Sequence, residues 1–317
     1  MMKLSIVIPV YNVEPFIRGT LDSIYKQGVD ESLFEVIVVN DGTPDNSMAI
    51  VEMFADAHTN LAIINQKNQG LSAARNAGMK LALGDYVWFV DSDDTITDGS
   101  LLKIMCLLSE YSDIEIFCFD YNEIKNKQIK NVISIFTKKS YSCYYNHCDS
   151  GYFYNRKLPI GLVQRFLFSH DFLIKFNLEF TSGIYHEDLD FLVRCYVRAT
   201  KVLPLNYKIY NYNLRESGSI TTTFNMKRFE DMLSIVRNFR KLSQNANNNN
   251  GVTIYENGIF SLCNELLLSS YSGQSEYRRF LKTFKVELKG YLLTSYLKSL
   301  SKNSFGKTLC LFKSMLV

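Results

Sequence analysis

Four short runs of β-branched and other apolar residues, separated by segments long enough for helices, constrain this chain more than any other feature. The runs lie at 4–9, 34–39, 61–64 and 86–90. Continuous apolar runs are typical of strands that are buried on both faces. The segments 15–27 and 44–57 have helical patterns, and Thr43 and Pro44 stand where an N-cap and a first helical residue are expected. This alternation predicts an α/β fold with a doubly wound, mostly parallel sheet flanked by helices, in which ligands bind at the carboxyl ends of the strands.

The pattern changes after residue 94. We expect a helix at 101–109, a strand at 114–121, a helix near 187–199, a strand at 201–213, and helices from 226 onward with a loop at 244–251. The stretch 122–157 is polar, aromatic and poorly periodic. We therefore predict one domain over 1–222, with halves 1–94 and 95–222, and a separate helical region over 223–317.

The composition excludes several classes of protein. A hydrophobic content of 47% with only 5 prolines provides ample core material and excludes a disordered chain. The net charge of +3 is too small for a general nucleic-acid binder. The 7 cysteines lack a C-x-x-C pair and are typical of reduced thiols, and the apolar run before Pro9 is too short for a signal sequence. We expect a cytoplasmic protein.

Polar residues follow each of the first two runs. The first run ends in Pro9-Val10-Tyr11-Asn12, and the second is followed by Asn40-Asp41-Gly42-Thr43. In a parallel sheet both loops would face the same crevice. Ordinary turn chemistry explains either loop alone, because Asn and Asp-Gly commonly end strands.

A segment rich in small residues, 68–78, follows the third run. Small side chains allow a ligand to approach the backbone closely, and Arg75 offers a planar fork for a phosphate or a base edge. The alternative is a helix N-terminus with a surface arginine. The segment does not contain G-x-G-x-x-G, so the dinucleotide-binding fingerprint is absent.

The fourth run leads directly into Asp91-Ser92-Asp93-Asp94. Three carboxylates in four residues repel one another unless a cation neutralises them, and a divalent ion shared with a substrate phosphate would remove that repulsion. The alternative is a solvated loop that caps the following helix. We favour the metal site.

Glu187 and Asp188 open the helix that we expect near 187–199. The helix dipole favours acidic residues in a first turn, so this position alone is equally typical of a structural role. His186, which precedes them, is by itself more typical of a structural hydrogen-bonding histidine than of a metal ligand.

Taken in order, these segments resemble the family-two nucleotide-sugar glycosyltransferases with the GT-A fold, of the type found in bacterial polysaccharide biosynthesis. The matching residues are Ser5 through Asn12, Val39 through Thr43, Gly70 through Gly78, Gly84 through Asp94, and His186-Glu187-Asp188. The resemblance extends over the predicted domain 1–222 and not over the helical region. It implies that 1–94 binds the nucleotide and that 95–222 binds the acceptor.

The resemblance also implies the residues that bind the nucleotide. Pro9, Tyr11 and Asp41 would form the pocket for its base and ribose, with Arg75 beside that pocket. Asn40 stands where many relatives have a second aspartate, which removes one charge but leaves Asp41.

Asp91 and Asp93, with Ser92 between them, match the D-x-D element of the family. The resemblance directs Asp91 toward the ribose and the donor sugar. Asp93 would bind a Mn²⁺ or Mg²⁺ that bridges the diphosphate, and Asp94 would contact the same ion.

The reaction implied is an inverting transfer by a single displacement. An acceptor hydroxyl attacks the anomeric carbon, Asp188 accepts its proton as general base, Glu187 orients the acceptor, and the metal carries the leaving charge. We expect a nucleotide-diphosphate sugar, of the UDP type, as donor and a saccharide or lipid-linked saccharide as acceptor.

Residues 278–317 carry nine Lys or Arg against Glu287 as the single acid. Basic, aromatic and leucine residues mixed on helices are typical of contact with an anionic bilayer, here at the inner face of the cell membrane. The alternative is a solvated basic face on a helix that packs against the catalytic domain.

Two other functions remain to be weighed. A sugar-nucleotide pyrophosphorylase normally has a Gly-rich loop with cations after its first strand, whereas this chain has Val10-Tyr11-Asn12-Val13-Glu14 there. A non-catalytic scaffold subunit of a polysaccharide assembly complex would be expected to lack Asp93 or Asp188, and both are present.

Overall fold

The structure is a computed structural model. It describes residues 2–125, 128–130, 161–214, 224–244, 255, 258–259, 262–263, 266 and 274–300, with the backbone alone for 130 and 292–300.

The chain divides into two compact units. The first comprises Met1–Cys148, Leu162–Gly183 and Ala199–Ser217, and the second comprises Asp149–Gly161, Ile184–Arg198 and Gly218–Val317. The helix that begins at Glu187 is therefore grouped with the C-terminal residues, whereas the sequence placed it inside the domain 1–222. The functional boundary at 222 stays a prediction.

The first unit is built on one sheet, to which the described part of the chain contributes nine strands. They are β1 (Leu4–Val10), β2 (Phe34–Asn40), β3 (Leu61–Asn65), β4 (Tyr86–Phe89), β5 (Thr95–Ile96), β6 (Ile116–Lys125), β7 (Gln128–Lys130), β8 (Phe166–Ser169) and β9 (Val202–Asn213). Its helices are α1 (Ile17–Tyr25), α2 (Ser47–Ala57), α3 (Leu71–Leu81), α4 (Ser100–Glu110) and α5 (His170–Lys175).

The strand order is β3-β2-β1-β4-β8-β6-β9-β5, with β7 paired to β6. The four strands β3, β2, β1 and β4 are parallel. Beyond β4 the sheet becomes mixed, because β8 is antiparallel to both β4 and β6, and β6 is parallel to β9. The predicted α/β class is confirmed, and β8 and α5 are elements that the sequence patterns did not reveal.

The sheet needs glycine where the backbone of another element approaches closely. A Cβ atom at Gly84 would lie 2.6 Å from the carbonyl carbon of Leu4 and from the nitrogen of Ser5. A Cβ atom at Gly78 on α3 would lie 2.4 Å from Cγ1 of Val7. These two glycines therefore allow α3 and the segment before β4 to pack closely against β1.

The start of α2 differs from the prediction. The helix begins at Ser47, so Pro44 is outside it and Thr43 is not its N-cap. Asp45 instead accepts hydrogen bonds through Oδ1 from the backbone N–H and the hydroxyl of Ser47, at 3.1 and 2.6 Å. The hydroxyl of Thr43 donates to the same oxygen at 2.6 Å. The carboxylate of Asp45 thus accepts the hydrogen bonds from the start of α2 that the prediction had given to the hydroxyl of Thr43.

The second unit contains α6 (Glu187–Arg198), α7 (Met226–Gln244) and α8 (Ser275–Leu300). Its core joins all three helices through buried residues such as Val193 on α6, Phe239 on α7 and Leu288 on α8. The predicted helical character is confirmed for the described residues, and the loop expected at 244–251 lies outside them apart from Gln244. Among the described helices, none combines the length and the apolar character needed to cross a bilayer.

Candidate active site

Three aspartates meet in the turn that follows β4. Carboxylate oxygens of Asp91, Asp93 and Asp94 lie within 4.8 Å of one another. β4 is buried in the middle of the sheet, between β1 and β8, so the turn stands at the carboxyl edge where ligands bind in such folds. The clustering that the sequence predicted is present.

Two side chains from distant parts of the chain hold the carboxylate of Asp91. Arg75 on α3 donates to Oδ1 at 2.8 Å, and Gln164 donates to Oδ2 through Nε2. Arg75 is buried, and its guanidinium lies 5.2 Å from the ring centre of Phe180. The sequence expected Arg75 beside the base pocket, which stays a prediction, and the structure shows in addition that its guanidinium pairs with Asp91.

Asp94 is buried and both of its carboxylate oxygens accept hydrogen bonds from β9. The hydroxyl of Tyr210 donates to Oδ2 at 2.7 Å, and the backbone N–H of Asn213 donates to Oδ1 at 2.7 Å. Burial raises the pKa of Asp94 to about 8, together with the charges of Asp93 and Asp91. Asp94 therefore acts as an anchor, because it fastens the turn to β9.

The backbone of the turn is also held by hydrogen bonds. The hydroxyl of Thr20 on α1 donates to the carbonyls of Ser92 and Asp94, at 3.0 and 2.7 Å. The N–H of Asp91 donates to Tyr210 Oη at 3.2 Å, and Asn213 Nδ2 donates to the carbonyl of Asp93 at 2.8 Å. The side chain of Ser92, predicted as a binding residue, is buried.

The acidic turn fits a hard divalent cation. Converging carboxylate oxygens are the ligands that Mg²⁺ and Mn²⁺ prefer, and each oxygen that accepts one hydrogen bond keeps a second lone pair. Asp91 and Asp93 are only half-buried, whereas Asp94 is 1% exposed. Asp93 and Asp91 are thus the residues that could hold the ion.

Asp41, Pro9 and Tyr11 lie at the same edge of the sheet. Pro9 is buried in β1 opposite Val39, while Tyr11 follows the strand and is 48% exposed. Asp41 is buried and binds the loop 66–70, since Oδ1 accepts from Gln66 Nε2 and the N–H of Gln69 and Oδ2 accepts from the N–H of Gly70. That loop leads into α3, which carries Arg75. Asp41, Arg75 and Asp91 therefore form one connected framework.

The loops after β1 and β2 are joined to each other. The N–H of Asn12 donates to Thr43 Oγ1 at 2.8 Å, and the N–H of Glu14 donates to Asp45 Oδ2 at 2.8 Å. Glu14 in turn accepts from the N–H of Asn46 at 3.1 Å. Against the opposing effect of burial, the hydrogen bonds from Ser47, Thr43 and Glu14 lower the pKa of Asp45 to about 2.

Glu187 and Asp188 lie in the second unit, in the first turn of α6, and both are half-buried. Asp188 Oδ1 accepts from the N–H of Leu189 at 2.7 Å. His186 has a left-handed backbone with φ of 63°, and its Nε2 accepts from Arg228 Nε on α7 at 3.0 Å. The predicted structural role of His186 agrees with this contact, because α7 thereby holds the start of α6.

Sequence reasoning missed four residues that support the acidic turn: Thr20, Gln164, Tyr210 and Asn213. No local pattern marks them, because each reaches the turn only after the sheet has formed. Tyr210 and Asn213 stand on the strand that the sequence predicts at 201–213, but no local pattern indicates the place of β9 in the sheet.

The parallel half-sheet and the acidic turn after β4 agree with a GT-A type fold. The model of the family described as "Glycosyl transferase family 2" matches residues 5–175. The chain belongs to this family.

A relative of similar sequence agrees with this assignment. The chain is 32% identical to the uncharacterized glycosyltransferase EpsJ of Bacillus subtilis strain 168, over 66% of this chain and 60% of EpsJ. It thus spans less than two thirds of that relative.

Solved structures share the fold. Residues 1–349 of TarS from S. aureus, solved in complex with UDP-GlcNAc, match with a TM-score of 0.69 at 21% identity, over 94% of this chain and 81% of that one. The mannosyltransferase PcManGT from Pyrobaculum calidifontis, in complex with GDP-Man and Mn²⁺, matches with a TM-score of 0.56 at 15% identity, over 97% of this chain and 87% of that one.

Proposed function

We propose that this protein is an inverting, divalent-cation-dependent glycosyltransferase that moves a sugar from a UDP-sugar to a saccharide or lipid-linked saccharide. The observation that carries the proposal is the turn after β4, where Asp91 and Asp93 converge while Arg75 pairs with Asp91. The complexes of TarS with UDP-GlcNAc and of PcManGT with GDP-Man and Mn²⁺ support a nucleotide sugar and a metal.

The first unit would bind the donor. Asp93 and Asp91 would hold Mn²⁺ or Mg²⁺, which when bound supplies a Lewis acid for the diphosphate. The exposed ring of Tyr11, next to Pro9, offers a face on which a base can stack. Asp41 would keep the loop 66–70 closed against this pocket, since both of its oxygens bind that loop.

The second unit would supply the base. Oδ1 of Asp188 accepts from the N–H of Leu189, and we assign the carboxylate of Asp188 to accept the proton of the acceptor hydroxyl. A Cβ atom at Gly161 would lie 3.8 Å from Oδ2 of Asp188. Glu187, one residue earlier on the same turn, would orient the acceptor.

A thermal-shift panel of nucleotide sugars with and without MnCl₂ tests the donor and the metal together. A ligand present at a hundred times its Kd stabilises the native state by about 2.7 kcal/mol. We expect a clear shift with a UDP-sugar and Mn²⁺ together, and none with either alone. A shift of the unfolding temperature that is the same without Mn²⁺, or that occurs only with a sugar of another nucleotide, would contradict the proposal.

Transfer assays test the residues. We expect Asp93→Ala and Asp188→Asn to abolish transfer, and Asp98→Asn to leave it unchanged because Asp98 is an exposed aspartate outside the cluster. A wild-type protein that binds donor but transfers nothing to any saccharide or lipid-linked acceptor would support the scaffold function instead.

We also propose contact with an anionic membrane at the inner face of the cell membrane. One side of α8 is buried through Tyr277, Phe280 and Leu288, whereas Arg278, Arg279 and Lys282 are exposed. Val286, which is 83% exposed, lies on the same side as these cations. A cationic face with an apolar residue suits an anionic bilayer and would bring a lipid-linked acceptor to the enzyme.

A further inference from the structure

Asp91 receives its second hydrogen bond from a part of the chain that no motif marks. Gln164 belongs to a single turn of 3-10 helix, Val163–Arg165, which comes just before β8. Its Nε2 donates to Oδ2 of Asp91, while Arg75 donates to Oδ1 from the opposite end of the carboxylate. The rotation of this carboxylate is therefore set by two donors.

The turn that carries Gln164 is rigidly placed. Gln164 is only 4% exposed, and its carbonyl accepts from Trp88 Nε1 on β4 at 2.6 Å. The next residue, Arg165, donates to the carbonyl of Phe119 at 2.6 Å and pairs with Asp120, both on β6. A side chain fastened to β4 and β6 can hold Asp91 without moving itself.

The chemistry of the two donors is complementary. Arg75 offsets the negative charge of Asp91, whereas the amide of Gln164 supplies direction without charge. A second cation on Oδ2 would compete with a divalent ion for the same oxygen, and an apolar residue would let the carboxylate turn. Partners that orient metal ligands are often as important as the ligands themselves.

We infer that Gln164 is a positioning residue that orients the Asp91 carboxylate toward the divalent cation. It touches neither the cation nor the donor, and it acts through Asp91. This inference rests on the proposed function, because it requires that the acidic turn binds a metal.

The test is Mn²⁺ binding, measured by calorimetry on the full chain in the absence and presence of UDP. Gln164→Met keeps the volume and removes the donor, and we expect its Kd for Mn²⁺ to rise about 10- to 100-fold. The matched control is Asn122→Leu, since Asn122 is a 9% exposed amide that donates to Asn211 Oδ1 and not to an aspartate of the turn. The control should lose stability and keep the wild-type Kd.

A double-mutant cycle with Asp91→Asn separates positioning from general damage. If Gln164 acts only through the carboxylate of Asp91, Gln164→Met on the Asp91→Asn background should change the Kd by less than about twofold. An equal loss on both backgrounds, or a wild-type Kd for Gln164→Met, would overturn the inference. A wild-type protein that binds neither Mn²⁺ nor UDP would instead refute the proposed function. If Gln164→Met does not fold, Gln164→Asn, whose amide ends one methylene short of Asp91, takes its place with the same expected loss.

Discussion

Asp91, Asp93 and Asp94 are neighbours in sequence but occupy three different environments. Asp91 is paired with Arg75, Asp93 is half-buried at the edge of the sheet, and Asp94 is enclosed beneath the turn. Burial and the two adjacent charges disfavour ionised Asp94, whereas a cation at the turn would favour it. Three identical side chains in one turn thus have three different surroundings, and we propose that Asp91 and Asp93, rather than Asp94, hold the cation.

Tyr210→Phe tests the anchor. The substitution removes the hydroxyl that donates to Asp94 and accepts from the N–H of Asp91. Because it leaves buried polar groups without a partner, we expect a loss of about 1–3 kcal/mol in the free energy of unfolding, measured by urea denaturation. Tyr207→Phe on the same strand is the control, and equal unfolding midpoints for the two variants would contradict the role of Tyr210.

The loops after β1 and β2 behave as one element. Asp45 accepts hydrogen bonds from the loop after β1 and from Ser47, the first residue of α2, so its charge links the ends of two strands. The folded-state pKa of about 2 lies below the usual aspartate value. Ionised Asp45 therefore stabilises the fold above about pH 4, and this contribution is lost as the pH falls toward 2.

Asp45→Asn tests that linkage, because asparagine resembles the protonated aspartate. We expect the variant to be less stable than wild type by about 1 kcal/mol at pH 7, because hydrogen bonds to a carboxylate are stronger than those to a neutral amide. The difference should shrink as the pH falls from about 4 toward 2. Urea unfolding at a series of pH values measures it, with Asp56→Asn, an exposed aspartate on α2, as control. A difference that grows on acidification would contradict the assignment.

The packing of β1 against the segment before β4 is tested by Gly84→Ala. The added Cβ would meet backbone atoms of Leu4 and Ser5 at 2.6 Å, and backbone cannot move aside as a side chain can. We expect a loss of about 1–3 kcal/mol. Gly19→Ala in α1 meets nothing within 4 Å and should instead raise stability by about 0.5–1 kcal/mol. Thermal unfolding of both variants distinguishes them, and a neutral Gly84→Ala would show that this contact is not tight.

Charge is unevenly distributed along the whole chain. Residues 278–317 hold nine of the 35 Lys and Arg, so the remainder is net acidic although the protein as a whole is +3. In the described part of this region, cations occupy the exposed side of α8 while aromatic and leucine residues fill its buried side. Such a segregated face is a surface for an anionic partner.

Charge reversal on α8 tests the membrane proposal. Arg278→Glu, Arg279→Glu and Lys282→Glu together should weaken binding to anionic liposomes by about 100-fold, since each cation contributes about 1 kcal/mol. Sedimentation with phosphatidylserine vesicles measures the binding, which should also fall as salt rises. The control reverses Lys26, Lys80 and Lys103, three exposed lysines of the first unit, and leaves the net charge of the two variants equal. Equal binding by both variants would contradict a specific role for α8.

The sequence predicted those features that depend on neighbouring residues, and it did not predict those that depend on contacts between distant segments. Strands β1, β2, β3 and β4 were predicted because each consists mainly of consecutive apolar residues, which are typical of a buried strand. The start of α2 was misplaced because Asp45, rather than Thr43, accepts the hydrogen bonds from Ser47 at the start of the helix. The order of β8, β6 and β9 in the sheet has no local sequence pattern.

The sequence by itself determined the α/β class, the family and the acidic cluster after β4, because hydrophobic period and short motifs act over neighbouring residues. Only the tertiary structure decided what each polar residue touches. Arg75 pairs with Asp91, and Gln164 and Tyr210 reach the acidic turn from segments that are distant in the chain. Burial makes these contacts strong, and burial is a property of the assembled sheet.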